Sequence, residues 1–317
     1  MRTALSVAVL VLGTLPAGSV RSDEPTELRW RFTKGAQPAY TLSQDISTTM
    51  DAGGQKIETS QSAVFGYTYE VTSTEDDVAQ IDMTYDRVRI AMKTPVGNVE
   101  YDSGDPGKGS AQGGQLAGLF EVFDALVGEP LKISLAKDGR LEKLDMPQAV
   151  SEKLSNVPGP MAGSFGEDGM RQTVSLAFLP TPSTTVKTGD TWSRQSEVTS
   201  PMGKMVYDVK YTYLATETVA GANLDKIGVE TNVSLEPSPE SPFDVKIKNQ
   251  KSEGTALFDN KAGRLHSFDE VVKMDLEVSV AGNSMVQSLE MAYKIAQGKG
   301  QGKPDAAAKP SPDDSEK

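Results

Sequence analysis

Three stretches of the chain alternate apolar and polar residues over unusual lengths. In the first, Ala63, Phe65, Tyr67, Tyr69 and Val71 are separated by Val64, Gly66, Thr68 and Glu70. In the second, Met205, Tyr207, Val209, Tyr211 and Tyr213 alternate with Val206, Asp208, Lys210 and Thr212. The third sets Phe268, Val272, Met274, Leu276, Val278 and Val280 against Asp269, Lys273, Asp275, Glu277 and Ser279. Successive side chains of a strand point to opposite faces, so a period of two predicts strands with one apolar face and one wet face. Several run past ten residues, against a usual length of about 5–6. Strands this long twist, and a twisted sheet with one apolar face curls over whatever covers that face.

Ala52-Gly53-Gly54 and Gly282-Asn283 fall between such runs. Glycine and asparagine accept the positive φ of tight turns, which predicts hairpins and antiparallel neighbours. Between Val78 and Met92 the apolar phase shifts from Ile81, Met83 and Tyr85 to Val88, Ile90 and Met92, as a bulge near Asp86-Arg87 would cause.

Helical spacing is confined to the middle of the chain. Leu116, Leu119, Phe120, Phe123, Leu126 and Val127 recur every three or four residues, with Glu121 and Asp124 opposite and Gly128 and Pro130 ending the run. Shorter helices are expected over Pro147 to Leu154 and Glu167 to Phe178, separated by a loop around Val157-Pro158-Gly159-Pro160. The fold class is therefore mainly β (α+β): a large curved antiparallel sheet or half-barrel of long amphipathic strands, with two or three short helices. A weak echo suggests two similar halves, 23–145 and 185–296, joined by the helical segment. Tyr67-Thr68-Tyr69 matches Tyr211-Thr212-Tyr213, and Gly139-Arg140-Leu141 matches Gly263-Arg264-Leu265, at offsets of 144 and 124.

The termini read differently. Arg2 precedes an apolar run, Ala4 to Leu15, then Pro16 and the small residues Ala17, Gly18 and Ser19. That is the pattern of a secretory signal peptide over residues 1–22, with cleavage after Ser19 or Ser22 fitting equally. The run falls short of the about 20 residues that span a bilayer, so no membrane-spanning segment is expected after cleavage. Residues 23–297 form one β-rich domain. Beyond Gln297 the chain reads GKGQGKPDAAAKPSPDDSEK, with nothing large and apolar to bury, and disorder is expected over 298–317.

Export sets the compartment, secreted or periplasmic, in which composition must be read. Losing Arg2 and Arg21 leaves 30 basic against 44 acidic residues, moving the net charge from -12 to -14. Such a chain repels phosphate backbones, so nucleic acid is excluded as a partner. Cysteine is absent, so a buried core rather than disulfides must hold the fold.

Leu28 to Tyr40 (LRWRFTKGAQPAY), Leu179-Pro180 with Val186-Lys187-Thr188-Gly189-Asp190-Thr191-Trp192, and the Gly263-Arg264-Leu265 hairpin carry a resemblance. They resemble a family of uncharacterised exported bacterial proteins of planctomycete type, over most of residues 25 to 296. The resemblance implies a β-rich exported protein with no assigned activity, and no catalytic residue is carried over from it.

Candidate chemistry is sparse. His266 is the only histidine, and without cysteine it cannot build the usual structural zinc site; it reads as a strand residue. Ala162-Gly163-Ser164-Phe165-Gly166 superficially matches a nucleophile elbow, but an elbow needs a parallel βαβ setting that this pattern lacks. Asp259-Asn260-Lys261-Ala262-Gly263 puts Lys261 where a calcium loop needs a ligand, and reads as a β-turn. Gly104 to Gly114 lacks the P-loop spacing. Trp192 either faces a ligand or packs in the core after a Gly-Asp turn.

No residue is singled out as catalytic, cofactor-binding or metal-binding, and no cofactor is expected. The readings that fit are a non-enzymatic envelope protein that holds an apolar or lipid-like ligand or a protein partner in its concavity, a secreted hydrolase using paired carboxylates, and an outer-membrane β-barrel. Phe65, Tyr67, Tyr69, Phe120, Phe123, Tyr211 and Tyr213 are the residues expected either to face such a ligand or to fill the core.

Overall fold

The computed structural model describes residues 24–298 apart from 53, 96, 106–116, 158–166, 201–202, 239–240, 242 and 281–282. The expected leader, the tail beyond Gly298, the Gly163–Gly166 elbow and most of the Gly104–Gly114 loop lie outside the described residues. The order of elements is β1 (Ala39–Ala52), β2 (Gln55–Glu75), β3 (Val78–Thr94), β4 (Gly97–Asp102), α1 (Ala117–Leu126), β5 (Pro130–Ala136) and β6 (Leu141–Asp145). There follow α2 (Gln148–Ser155), α3 (Glu167–Leu176), β7 (Thr191–Ser200), β8 (Gly203–Val219), β9 (Ala222–Pro237), β10 (Phe243–Asp259), β11 (Arg264–Val280) and β12 (Asn283–Gly298).

All the strands join one antiparallel sheet of 12, in the order β6-β5-β3-β2-β1-β12-β11-β10-β9-β8-β7, with β4 attached to β3. The sheet does not close: β6 and β7 are its edges. The chain thus makes the mainly β curved sheet with short helices that alternation and helical spacing lead one to expect. Asp86 is the extra residue in β3, since Gly66 pairs with Arg87 and Tyr67 with Tyr85, which places the bulge at the phase shift.

Two runs of five strands have the same order. β1-β2-β3-β5-β6 and β7-β8-β9-β10-β11 each wind as a meander, and β12 lies between them. The two Gly-Arg-Leu turns match in detail. Gly139 and Gly263 both have positive φ, of 80° and 64°. Each turn is followed by a bulge at the residue after leucine, Glu142 in β6 and His266 in β11. The first run carries β4 and α1 between β3 and β5, whereas β9 leads to β10 through a short connection, so the shift in offset falls there.

The apolar face is covered in sections. α1 buries Leu119, Phe120, Val122, Phe123 and Leu126. Phe120 stacks on Tyr101 at 4.8 Å between centroids, and Phe123 meets Phe65 edge-on at 6.3 Å. The Tyr101 hydroxyl donates to Asp124 Oδ1 at 2.6 Å. The segment before β1 crosses one end of the concavity. There Trp30 packs against Phe32, Phe178 and Phe258 and donates Nε1–H to the Leu179 carbonyl at 2.8 Å. Tyr40 stacks on Tyr67 and Tyr69, and burial pushes its hydroxyl up to about 12. Fully buried side chains such as Leu131, Ile133 and Leu135 each contribute about 1.5–3 kcal/mol.

Asp225 is one of few buried charges, accepting hydrogen bonds on Oδ1 from the hydroxyls of Tyr213 at 2.8 Å and Thr216 at 3.0 Å. Burial raises its pKa above the ordinary 3.8, and the two hydroxyls offset only part of that. A raised folded value means a contribution to stability that is full below 3.8 and lost as pH rises through the folded value. Asp225→Asn keeps the acceptor and removes that loss. The melting temperature of wild type relative to the variant should therefore fall as pH rises from about 4 to about 7; a constant difference across that range would contradict it.

Candidate ligand-binding cavity

The register of the ladders lines side chains up in rows across the concave face. One row runs Trp192, Tyr211, Val229, Gly254, Glu270, Tyr293, Gln44, Ala63, Ile90 and Tyr101, each paired with the next. The row beside it holds Arg194, Val209 and Thr231 from the β7 side and Ser252, Val272, Met291, Ile46, Gln61 and Met92 beyond. Toward the Trp30 end the next row, Tyr213, Ile227, Ala256, Phe268 and Ile295, is buried throughout, with Phe268 bordering the cavity. Among the described residues the concavity is hollow over the first two rows, with a cavity of about 470 Å³ roofed by α3 and the stretch from Phe178 to Pro180. That volume falls within the range of small-molecule sites, about 300–1,000 Å³.

Most of the lining is apolar: Leu42, Ile46, Ile90, Met92, Leu176, Val198, Met205, Val209, Val229, Val233, Val272 and Met291 among others. Its polar groups are Gln44, Gln61, Gln172, Thr173, Ser175, Thr199, Thr231, three tyrosines (Tyr207, Tyr211 and Tyr293) and Glu270. Glu270 is only 6% exposed and, among the described residues, is the one charged side chain lining the cavity. Local geometry explains how it fits. Its partner across the ladder is Gly254, and a Cβ there would come within 3.0 Å of Glu270 Cβ and 3.1 Å of its Cγ. The missing side chain lets Glu270 lean over β10, where Thr231 and Ser252 both donate hydroxyl hydrogens to its Oε1, at 2.5 Å and 2.8 Å. Tyr211 and Tyr293 have hydroxyl pKa values raised chiefly by burial, and the negative charge of Glu270 adds to both shifts. Burial lowers the Arg194 pKa, with Tyr211 pulling the other way.

Behind Glu270 the sheet has a seam. The β9–β10 ladder runs only from Asp225–Phe258 to Val229–Gly254. Past that point side chains take its place: Thr231 N–H donates to Ser252 Oγ at 2.9 Å, and Val233 N–H donates to Gln250 Oε1 at 2.8 Å, while Gln250 Nε2 donates back to the Val233 carbonyl at 3.0 Å.

Of the seven aromatic residues expected either to face a ligand or to fill the core, Tyr211 lines the cavity. Phe65, Tyr67, Tyr69 and Tyr213 are buried in the core, as are Phe120 and Phe123. Tyr101 and Phe65 fill the space beneath α1, so α3 forms most of the roof and α1 contributes only Leu119. Trp192 stacks on Tyr211 at 5.6 Å and donates Nε1–H to the Pro180 carbonyl at 2.8 Å, outside the cavity lining. Asp259 Oδ1 accepts from Ala262 N–H at 2.8 Å, which makes that segment a turn. Among the described residues no group of three or more His, Asp or Glu side chains is placed to hold a metal ion. Glu270 itself escapes sequence reasoning. Its signal was a carboxylate in phase with Phe268, Val272 and Met274, where the alternation calls for an apolar residue.

Fold and cavity together define a mainly β protein whose open, curved antiparallel sheet encloses an apolar space. Residues 76–264 match the model of a family of unknown function (DUF6263), and the chain belongs to that family. The match begins after the Leu28–Tyr40 segment and speaks to neither export nor source organism. No curated protein matches the chain. Among solved structures it is similar to lipovitellin, from a study of lipid–protein interactions, at 14% identity and a TM-score of 0.41 over 85% of this chain and 26% of that one. It thus spans about a quarter of the lipovitellin chain. It is also similar to DynF from the dynemicin pathway of Micromonospora chersina, at 7% identity and a TM-score of 0.21 over 90% of each chain. A DUF1329 family protein from Desulfovibrio piger gives 9% identity and a TM-score of 0.15 over 82% of this chain and 86% of that one. Scores below 0.5 mark a loose likeness that assigns no ligand.

Proposed function

We propose that the protein is exported and holds an apolar, lipid-like small molecule in the concavity of its sheet, without catalysing a reaction on it. The observation that carries this reading is the 470 Å³ cavity walled mostly by aliphatic side chains between α3 and the sheet. Protein interiors pack as tightly as organic crystals, so an apolar space of this size departs from ordinary core packing. Hydrolysis by paired carboxylates needs a second carboxyl about 5–9 Å from the first, and among the described residues Glu270 is the only carboxylate in the lining. A transmembrane barrel buries its edges by closure and turns an apolar face to lipid. This sheet is open, and β11 turns Asp269 and Lys273 outward. Export rests on the leader pattern, and N-terminal sequencing of the secreted protein should begin at Val20 or Asp23.

The binding reading is tested by filling the cavity. Ile46 is a half-buried lining residue on β1, and Ile46→Trp directs an indole into the space. Binding of a neutral apolar fluorophore such as N-phenylnaphthylamine should weaken about tenfold or more, while the melting temperature changes little. Equal binding by both proteins, or none by wild type, would overturn the reading.

A further inference from the structure

We infer that the molecule held in the cavity is a cationic amphiphile, an apolar body bearing a protonated amine, and that Glu270 is the group that anchors its head. This rests on the cavity being a binding site. Three observations carry it further, to the chemistry of the head group.

The first is the position of the carboxylate. Glu270 lies near the middle of the row that spans the concave face, more than nine-tenths buried, and lines the cavity. The second is how it is held. Among the described residues only its Oε1 accepts hydrogen bonds, both of them from the side that leads to β9. With both hydroxyls on Oε1, Oε2 has no hydrogen-bond donor among the described residues. The third is the company it keeps. Among the described residues that line the cavity there is no Lys, Arg or His. Arg194, which faces the same side of the sheet, stands on β7, four strands from β11, and is not among the lining residues.

A carboxylate in a mostly apolar cavity is bound most strongly by a partner that brings both a hydrogen-bond donor and a positive charge. Among the described residues two neutral donors reach Glu270 and no cationic side chain lines the cavity. A protonated amine arriving on an apolar tail supplies both the missing donor and the missing charge. Tyr293, the next residue in the row, offers an aromatic ring beside the same spot, and ring faces attract cations. A fatty acid would bring a second carboxylate to Glu270, where like charges repel. Gly254 belongs to the same arrangement, because any side chain there would push Glu270 off its present line.

Dodecylamine, dodecanol and dodecanoate separate the possibilities, each titrated at neutral pH against the full-length protein by displacement of N-phenylnaphthylamine, with native mass spectrometry for stoichiometry. Wild type should bind dodecylamine about tenfold or more tightly than dodecanoate, with dodecanol between them. Glu270→Gln keeps the size and an acceptor for Thr231 and Ser252. It should reduce dodecylamine affinity about tenfold, improve dodecanoate, and leave dodecanol within about threefold. Dodecanoate binding wild type as tightly as dodecylamine would overturn the inference, as would an amine preference that survives in Glu270→Gln. The ranking is measured on wild type, so it decides the matter even where the variant folds poorly. Failure of all three ligands overturns the binding function itself, whereas dodecanol binding with no preference for the amine overturns only the assignment of the head group.

Discussion

Phe123→Ala should lower the free energy of unfolding by about 3–5 kcal/mol, the usual cost of deleting a buried aromatic ring. Phe123 is 2% exposed, tilted against Tyr101 at 5.8 Å and edge-on to Phe65 at 6.3 Å. Removing it opens a void that the long strands on one side and α2 on the other are poorly placed to close. Leu176→Ala provides the contrast. Leu176 is only partly buried and already borders the cavity, so fewer contacts are lost and the cost should be about 1–2 kcal/mol. Urea denaturation with an unchanged slope would measure both. A cost for Phe123→Ala no larger than for Leu176→Ala would mean that α1 is a loose lid rather than part of the core.

Gly139→Ala and Gly263→Ala should each destabilise by about 2–6 kcal/mol, adding backbone strain of about 1–3 to overpacking of about 1–3. A Cβ on Gly139 would lie 2.5 Å from Trp30 Nε1 and 2.7 Å from the Leu179 carbonyl oxygen, the two ends of a single hydrogen bond. On Gly263 it would lie 2.3 Å from both Cβ and Cγ of Arg31 and 2.4 Å from its backbone nitrogen. The two turns therefore clamp consecutive residues of the segment before β1. Gly189 separates strain from crowding, because its φ is 94° but a Cβ there would meet nothing within 4 Å. Gly189→Ala should cost only the strain, about 1–3 kcal/mol. Thermal unfolding of the three variants would show it, and equal losses in all three would remove crowding as the cause.

These glycines also show how much the sequence disclosed. The repeated Gly-Arg-Leu is visible in the letters, and so are β2, β8 and β11, whose inward positions are almost all apolar. The Asp86 bulge is visible because it shifts the apolar phase. β10 is not, because around Asn249 to Gly254 (NQKSEG) the apolar alternation is interrupted. Those polar and small residues bond to β9 and make room for Glu270, functions that depend on strands about 20 residues away in each direction. Glu270 was illegible for the same reason. A carboxylate in an apolar phase has meaning only once Thr231, Ser252 and Gly254 are seen beside it. The position of the cavity was equally hidden, since Tyr211 and Tyr213 share one alternation but only Tyr211 borders empty space.

The seam between β9 and β10 gives the sheet a line of weakness. Backbone ladders hold neighbouring strands rigidly, whereas the links from Ser252 and Gln250 can lengthen through side-chain rotation. Amide protons of Thr231 and Val233 should accordingly exchange with solvent faster than those of Ile227 and Val229. The strands β7, β8 and β9 meet the rest of the sheet along this line, with the hydroxyls of Thr231 and Ser252 that grip Glu270 lying on it. The wall of the concavity is therefore held least tightly beside Glu270, at a distance from either edge of the sheet.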